Sequence, residues 1–239
     1  MERELLSMGI DTSNYKTSLA VVDKTGEVLF NYQEFLDVKP REKGLRQSEA
    51  FFQHVQKLPE AIEKAFEYAD IRENIGAIAV SSRPRPVEGS YMPVFTAGHG
   101  YARALAASMG ISLQTFSHQE GHIEAIRHYS SLKDEVPLIC FHFSGGTTEA
   151  LLLDENGKLE IVGGSKDIAY GQVLDRVGVS LGYAFPCGRE LDEIAVSASG
   201  HREILSKIKV KDGYVNLSGI ETQCQRVIED HPQGELIDA

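Results

Sequence analysis

The 239-residue sequence has no long apolar run, since none approaches the roughly 18 residues that a membrane-spanning helix needs. Its start, MERELLSMGID, lacks the basic segment and following apolar stretch that mark a secretory signal. These two absences predict a protein that is neither secreted nor inserted in a membrane.

Cysteine is also scarce. The three cysteines, Cys140, Cys187 and Cys224, are far apart in the sequence and form no C-x-x-C pair. This spacing is not that of a disulfide framework, and it is typical of reduced thiols. We therefore expect a cytoplasmic protein.

Positive charge is in short supply, because 24 Lys and Arg residues face 35 Asp and Glu residues and leave a net charge of −11. This excess argues against a general polyanion binder, so any nucleic acid would need a local basic patch. The hydrophobic fraction of 42% and the charged fraction of 25% are ordinary for a soluble globular chain. The length allows one large or two small domains.

The sequence contains an internal repeat. Residues 9–29 read GIDTSNYKTSLAVVDKTGEVL and residues 142–160 read HFSGGTTEALLLDENGKLE. Four pairs of like residues lie 131 positions apart: Ser13 and Ser144, Thr17 and Thr148, Asp23 and Asp154, Gly26 and Gly157. Each copy predicts two hairpins, the first with a tip of small or hydroxylated residues and the second with a D-x-x-G turn. Two unrelated hairpins remain an alternative, because D-x-x-G turns are common.

The arrangement resembles the duplicated nucleotide-binding fold of actin, sugar kinases and Hsp70. Two such tips could offer backbone N–H and hydroxyl groups to phosphate oxygens across a cleft. We expect an α/β protein with an actin-like first lobe at residues 1–134 and a partial second lobe at 135–239. The second lobe is expected to be incomplete, since about 100 residues remain for it and much of that stretch is helix and loop.

Strand patterns that alternate with helix patterns along the sequence predict an α/β protein with a largely parallel sheet. The predicted strands are 5–11, 17–23, 27–35, 75–82, 111–116, 137–143, 147–153 and 158–162. The predicted helices are 47–69, 93–109 and 118–130, and Pro59 should kink or divide the first of them. The buried face of that first helix is expected to carry Phe51, Val55, Leu58, Ile62, Ala65 and Phe66.

The stretch SHQEGH at 117–122 has two histidines four residues apart. On a helix, His118 and His122 point to the same side and can bind one metal ion. The order H-x-E-x-H differs from the H-E-x-x-H of zinc proteases, so Glu120 would project elsewhere. Two histidines do not complete a metal site, and a solvated helix start is the alternative.

Two later stretches could contact a ligand. In DIAYGQVLDRVG, Asp167 suits a helix N-cap, while Gly171 and Asp175 share one face, where Asp175 could bind ribose hydroxyls. In LGYAFPCGREL, a loop that ends at Gly188 precedes a helix whose backbone amides could contact a ligand. A capped amphipathic helix and a simple connector are the alternatives.

Five motifs in one order, GIDTS, SHQEGH, FSGGTTE, DIAYGQVLDRVGVSLGYAFPCG and VNLSGIET, resemble the TsaD family over residues 5–225. Its members, once called O-sialoglycoprotein endopeptidases or M22 glycoproteases, are tRNA N6-adenosine threonylcarbamoyltransferases. The resemblance implies a two-lobed actin-like ATPase fold and transfer of a threonylcarbamoyl group from its adenylate to N6 of adenosine 37 in tRNA. It also implies one iron or zinc ion, and small partner proteins or a homodimer.

Carried over by motif, the resemblance assigns metal binding to His118 and His122. It assigns contact with the nucleotide phosphates or the adenylate to seven residues: Ser144, Gly145, Gly146, Asp167, Gly171, Asp175 and Gly188. No catalytic nucleophile is assigned. This agrees with the absence of a convincing Ser-His or Cys-His pair, because metal-assisted transfer with AMP as leaving group needs none.

The sequence also departs from the family pattern. Tyr15 and Lys16 stand where two acidic residues are usual, and Arg83-Pro84-Arg85-Pro86 replaces a P-G-P-G-like loop. The family's C-terminal D-N motif, which supplies a third metal ligand, and its second G-G motif are not found before Ala239. The chain is therefore expected to be inactive by itself.

Three hypotheses follow from these patterns. The chain is a piece of a threonylcarbamoyltransferase, or a catalytically degenerate paralogue that acts as a nucleotide-binding or partner protein, or a metalloprotease. The departures favour the second hypothesis, and only the two histidines favour the third.

Overall fold

The protein is described by a computed structural model that covers residues 5–13, 15–38, 45–68, 71–197 and 204–230. The chain divides into two compact units, Met1–Glu135 and Val136–Ala239, called here the first and second unit. In the part of the chain that is described, no helix combines the length and apolar character needed to cross a membrane.

The described residues of the first unit form a five-stranded sheet and four helices. Its sheet order is β3-β2-β1-β4-β5, in which β1, β2 and β3 form antiparallel hairpins and β4 and β5 run parallel to β1. The strands are β1 (Leu6–Asp11), β2 (Lys16–Val22), β3 (Val28–Phe35), β4 (Ile75–Arg83) and β5 (Ser112–Ser117). The helices are α1 (Gln47–Glu67), α2 (Ile71–Asn74), α3 (Phe95–Met109) and α4 (His118–His128). The predicted elements of this unit are present, with small shifts at their ends.

Strict alternation along β1 and β2 places every second side chain in the core of the first unit. Met8 and Val21 are fully buried there. Small residues of α3 and the buried face of α1 belong to the same core, whose main members are Leu6, Met8, Ile10, Leu19, Val21, Leu58, Ala61, Ile62, Ala65, Ala97, Ala102 and Ala106. The core thus holds the carboxyl ends of β1 and β4 in fixed positions.

The prediction of which α1 side chains are buried is partly wrong. Leu58, Ile62 and Ala65 are buried as predicted, but Phe51 is 36% exposed and His54 is fully buried instead. Of the two effects expected of Pro59, division of the helix is wrong, because α1 continues through it as one element, and a kink stays a prediction. Partial exposure of one phenyl ring costs little free energy of folding. His54 can be buried in the core because its ring has a hydrogen-bond partner.

Where the second unit is described, it contains a four-stranded sheet in the order β6-β7-β8-β9 and three helices. The strands are β6 (Leu138–Phe143), β7 (Thr148–Leu153), β8 (Leu159–Ser165) and β9 (Tyr214–Val215), and the helices are α5 (Tyr170–Ser180), α6 (Gly188–Ser197) and α7 (Ser218–Asp230). The first three strands are antiparallel, and β9 pairs parallel to β8. The short β9 is not among the elements that the sequence pattern predicts.

The internal repeat is confirmed by strand register. Met8 pairs with Val21 in the first unit, and Ile139 pairs with Leu152 in the second, at the same offset of 131 residues. The two D-x-x-G turns also agree, because Asp23 and Asp154 each accept backbone hydrogen bonds from residues two and four positions later. Their glycines have positive φ angles of 86° and 77°. The sequence therefore contains a true structural duplication.

The two copies differ in what covers the first strand. Met8, Ile10 and Thr12 are 0%, 3% and 0% exposed in the first unit. The equivalent side chains in the second unit, Ile139, Phe141 and Phe143, are 63%, 66% and 59% exposed. Among the described residues, β6 pairs only with β7, whereas β1 pairs with strands on both sides. The second copy therefore carries an exposed apolar face where the first has a core.

Candidate functional site

The start of α4 is set by a capping box. The Ser117 hydroxyl accepts a hydrogen bond from the Glu120 backbone N–H at 3.2 Å, and the Glu120 carboxylate accepts one from the Ser117 N–H at 2.5 Å. This reciprocal pair fixes the first helical turn directly after β5. It also uses the Glu120 carboxylate within the turn, so Glu120 acts as a cap and does not have the position of a protease general base.

The two histidines of α4 come together on one side of that helix. The Nε2 atoms of His118 and His122 lie 2.7 Å apart, with the ring centroids separated by 4.2 Å. The spacing of four residues accounts for this approach, because such side chains are neighbours on a helix surface. The pair can present two imidazole nitrogens to one ion.

The structure adds a carboxylate that the sequence motifs do not single out. Asp11, the last residue of β1, lies with its Oδ2 atom 2.8 Å from Nδ1 of His118. Its other oxygen accepts a hydrogen bond from the Ser13 N–H at 2.8 Å. Burial disfavours ionisation of Asp11, but hydrogen bonds from His118, Ser13 and Ser81 outweigh it and hold its pKa well below the usual range. An acidic residue at the end of the first core strand is the signal that could have indicated it.

The Arg83–Pro86 segment lies beside the same helix turn. The Arg83 guanidinium is 3.4 Å from the Glu120 carboxylate, and the Pro84 carbonyl accepts a hydrogen bond from the Gln119 N–H at 3.3 Å. Arg83 therefore places positive charge next to the start of α4.

Metal binding by this chain is supported only as half of a site. Two imidazole nitrogens that face one point suit zinc or iron. Within the described ranges, however, no group of three His, Cys, Asp or Glu side chains is arranged to hold an ion. Metal binding by His118 and His122 therefore stays a prediction, in which they would be two of the ligands and the described residues supply no third.

Lys16 and Tyr15 both form contacts within the β2–β3 hairpin or directly next to it. The Lys16 ammonium donates to the Gln33 side chain at 3.1 Å and lies 4.6 Å from the centroid of the Phe35 ring. The Tyr15 carbonyl accepts a hydrogen bond from the Leu36 N–H. Lys16 thus contacts two side chains of β3.

The predicted phosphate loop joins β6 to β7 in the second unit. The Ser144 hydroxyl accepts hydrogen bonds from the N–H groups of Gly146 and Thr147 at 3.3 and 3.0 Å. The Ser144 N–H donates to the Thr147 carbonyl at 2.8 Å. The loop therefore forms internal hydrogen bonds, and these occupy some of the N–H groups that it could offer to a phosphate.

The loop also packs against the start of α5, which brings together three of the predicted residues, Ser144, Gly145 and Gly171. The Gly171 N–H donates to the Ser144 carbonyl at 3.2 Å, and the Tyr170 N–H donates to the Thr148 hydroxyl at 2.7 Å. A Cβ atom at Gly171 would stand 2.6 Å from the Ser144 carbonyl oxygen and 2.7 Å from the Gly145 Cα atom. Only glycine fits this approach without displacing the loop.

Asp167 has a different partner from the one predicted. Ala169, and not Asp167, is the N-cap of α5. The Asp167 carboxylate instead accepts hydrogen bonds from the N–H groups of Leu217 and Ser218 at 2.8 and 3.1 Å and from the Ser218 hydroxyl at 2.5 Å. Desolvation raises the pKa of Asp167, but these hydrogen bonds lower it by more and hold it below its usual range. Asp167 therefore ties β8 to the start of α7.

Asp175 and Gly188 lie where α5 meets the start of α6. Asp175 accepts a hydrogen bond from the Cys187 N–H at 2.8 Å, and Gly188 is the first residue of α6. Burial raises the pKa of the Cys187 thiol, with smaller effects from the charges of Asp175 and Glu190, so the thiol stays protonated. Contact of the seven predicted residues with an adenylate stays a prediction.

Comparison with known proteins identifies the family. The model of the family described as TsaD, tRNA N6-adenosine threonylcarbamoyltransferase, matches residues 27–233. The chain belongs to the TsaD family. A tRNA N6-adenosine threonylcarbamoyltransferase of Neorickettsia sennetsu is 29% identical over 230 residues, which cover 95% of this chain and 67% of that protein. One from Streptococcus suis is 32% identical over 204 residues, which cover 82% of this chain and 56% of that protein.

The chain therefore spans between about half and two thirds of the length of these TsaD relatives. Among solved structures, a ROK family protein from Streptococcus pneumoniae aligns with a TM-score of 0.53 and 13% identity over 81% of this chain and 68% of that one. This likeness concerns the fold alone. Together with the two sheets and their repeated register, it confirms the actin-like α/β fold expected from the sequence.

Proposed function

We propose that this chain takes part in the transfer of a threonylcarbamoyl group from its adenylate to N6 of adenosine 37 of tRNA. The observation that carries the proposal is the convergence of His118 and His122, backed by Asp11, in a chain of the TsaD family. The relatives are named for this activity, and the present chain covers part of their length.

In this proposal, His118 and His122 hold one iron or zinc ion together with a ligand from elsewhere. Such an ion would polarise the carbamoyl carbonyl or the phosphate as negative charge develops on oxygen. Within the second unit, the proposed adenylate contacts are Ser144, Gly145, Gly146, Gly171, Asp175 and Gly188. The role proposed for Asp167 is to hold the start of α7 beside them.

The proposed macromolecular partner is tRNA, with small partner proteins or a second copy of the chain. A net charge of −11 disfavours RNA binding over the surface as a whole. The Arg83–Pro86 segment carries two arginines, of which Arg83 lies beside the histidine helix, and phosphate groups are the chemistry that arginines bind. Replacing these two arginines with neutral residues should therefore weaken RNA binding without unfolding the chain.

A catalytically degenerate paralogue that binds nucleotide or a partner protein is the second candidate. Two observations favour it: the described residues offer two metal ligands and no third, and Lys16 is held by Gln33 and Phe35. Under this alternative the second-unit loop binds adenine nucleotide without turnover.

The test is to incubate the purified chain with threonylcarbamoyl-adenylate and unmodified tRNA, and to measure modified adenosine by mass spectrometry. The His118→Ala variant is the negative control, and adenine nucleotide affinity is measured in parallel. Turnover that requires His118 supports the transferase. Nucleotide binding without turnover by the chain alone fits both candidates, so the chain is also assayed joined to the C-terminal part of a full-length relative. Continued absence of turnover in that fusion supports the degenerate paralogue.

A further inference from the structure

The two ring nitrogens of His118 face different partners. Nδ1 lies 2.8 Å from the Asp11 Oδ2 atom, and Nε2 lies 2.7 Å from Nε2 of His122. Asp11 and His118 are 107 residues apart in sequence, so the contact depends on the packing of β1 beside β4 and of α4 after β5. The three side chains form a row from carboxylate to imidazole to imidazole.

The Asp11 side chain is held in place independently of His118. It terminates β1, whose backbone pairs Asp11 with Ser18, and its second oxygen accepts the Ser13 N–H. An ionised carboxylate only accepts hydrogen bonds, so a neutral His118 bonded to it must carry its proton on Nδ1. The lone pair on Nε2 then accepts a hydrogen bond from the Nε2–H of His122 in the metal-free protein.

We propose that Asp11 is a positioning residue that holds His118 in the Nδ1–H tautomer and aims its Nε2 lone pair at the point shared with His122. The metal-binding consequence rests on the proposed function, whereas the tautomer does not. Carboxylates bonded to the far nitrogen of a ligating histidine fix its ring and raise its basicity, and their loss typically lowers metal affinity 10- to 100-fold.

The first measurement is the tautomer of His118 by long-range ¹H–¹⁵N NMR of the metal-free chain at one pH, about 7.5. We expect the Nδ1–H form in the unaltered protein. In Asp11→Asn, the amide can donate to Nδ1, so the proton should move to Nε2 and the tautomer should switch. Asp11→Glu should keep the Nδ1–H form, and so should Asp37→Asn, which removes an exposed carboxylate of the same unit.

The second measurement is zinc affinity by titration calorimetry on the same four proteins. We expect a 10- to 100-fold loss for Asp11→Asn and little change for Asp11→Glu and Asp37→Asn. An Nε2–H tautomer in the unaltered protein, or an unchanged tautomer in Asp11→Asn, would overturn the proposal. If the unaltered chain binds no zinc while the tautomer switches as expected, the metal part of the proposed function fails and the positioning role stands.

Discussion

Thr17 and His54 share a buried hydrogen bond, with 2.8 Å between the threonine hydroxyl and Nδ1 of the imidazole. Both side chains are fully buried, so this bond joins β2 to the middle of α1 inside the core. Thr17 is the repeat partner of Thr148, whose hydroxyl accepts the Tyr170 N–H at the start of α5. In both units, therefore, a threonine in the first two residues of the second repeat strand is hydrogen-bonded to the next long helix.

The Thr17→Val variant tests the importance of this contact. Valine keeps the shape but leaves His54 without its hydroxyl partner in the core, which should reduce the free energy of unfolding by about 1–3 kcal/mol. Urea unfolding followed by circular dichroism measures the change. Thr115→Val on the exposed face of β5 is the matched control, with an expected change within about 0.5 kcal/mol. Equal stability of the two variants would contradict a structural role for the pair.

The packing of the phosphate loop on α5 predicts that Gly171→Ala disturbs the second unit. The added methyl group would meet the backbone of Ser144 and Gly145, which can yield only if the loop moves. We expect a loss of about 1–3 kcal/mol of unfolding free energy, as for other overpacked sites. Adenine nucleotide affinity should fall as well, if the loop is the phosphate site.

The matched control is Gly219→Ala in α7, where a Cβ atom meets nothing within 4 Å. That change should be neutral or slightly stabilising, because alanine is the better helix former. If Gly171→Ala unfolds like the unaltered chain and binds nucleotide equally well, the close approach of loop and helix is not needed.

The histidine pair predicts weak zinc binding that depends on both rings. Two imidazoles make an incomplete ligand set, so the described part of the chain should bind zinc less tightly than a site with three or four protein ligands. His118→Ala and His122→Ala should each abolish the residual binding in a calorimetric titration. His99→Ala in α3 is the control and should leave it unchanged. Tight binding that survives the loss of His118 would show that other residues are the ligands.

Local patterns predict the hairpins and helices of this chain because their signals are short in sequence. The D-x-x-G turns need only four or five residues, and Gly26 and Gly157 adopt the left-handed conformation that such turns require. For the same reason, the i, i+4 spacing is enough to predict that His118 and His122 meet. These parts of the fold and of the site follow from neighbouring residues alone.

Contacts between distant segments do not follow from local patterns. The Asp11–His118 pair spans 107 residues, and the Asp167–Ser218 pair spans 51 residues. The local pattern predicts that Asp167 caps the nearest helix, but the tertiary fold brings the start of α7 to it instead. The sequence around Phe141 does not predict that this side chain is exposed. It alternates as the sequence around buried Ile10 does, and only the neighbouring elements differ.

The Asp167 carboxylate predicts a pH-dependent contribution to the stability of the second unit. Its pKa is lower in the folded protein than the usual value of about 3.9, because the N–H groups and the hydroxyl at the start of α7 bind the ionised form. The stabilisation is therefore complete above the ordinary carboxyl pKa and is lost as the pH falls below it towards the folded value. At neutral pH, Asp167→Asn should unfold at a lower urea concentration than the unaltered protein, and the gap should narrow between about pH 5 and pH 3. Asp192→Asn on the exposed side of α6 is the control and should show no such narrowing. A gap that stays constant over this range would mean that the neutral amide and the ionised carboxylate differ for a reason other than charge.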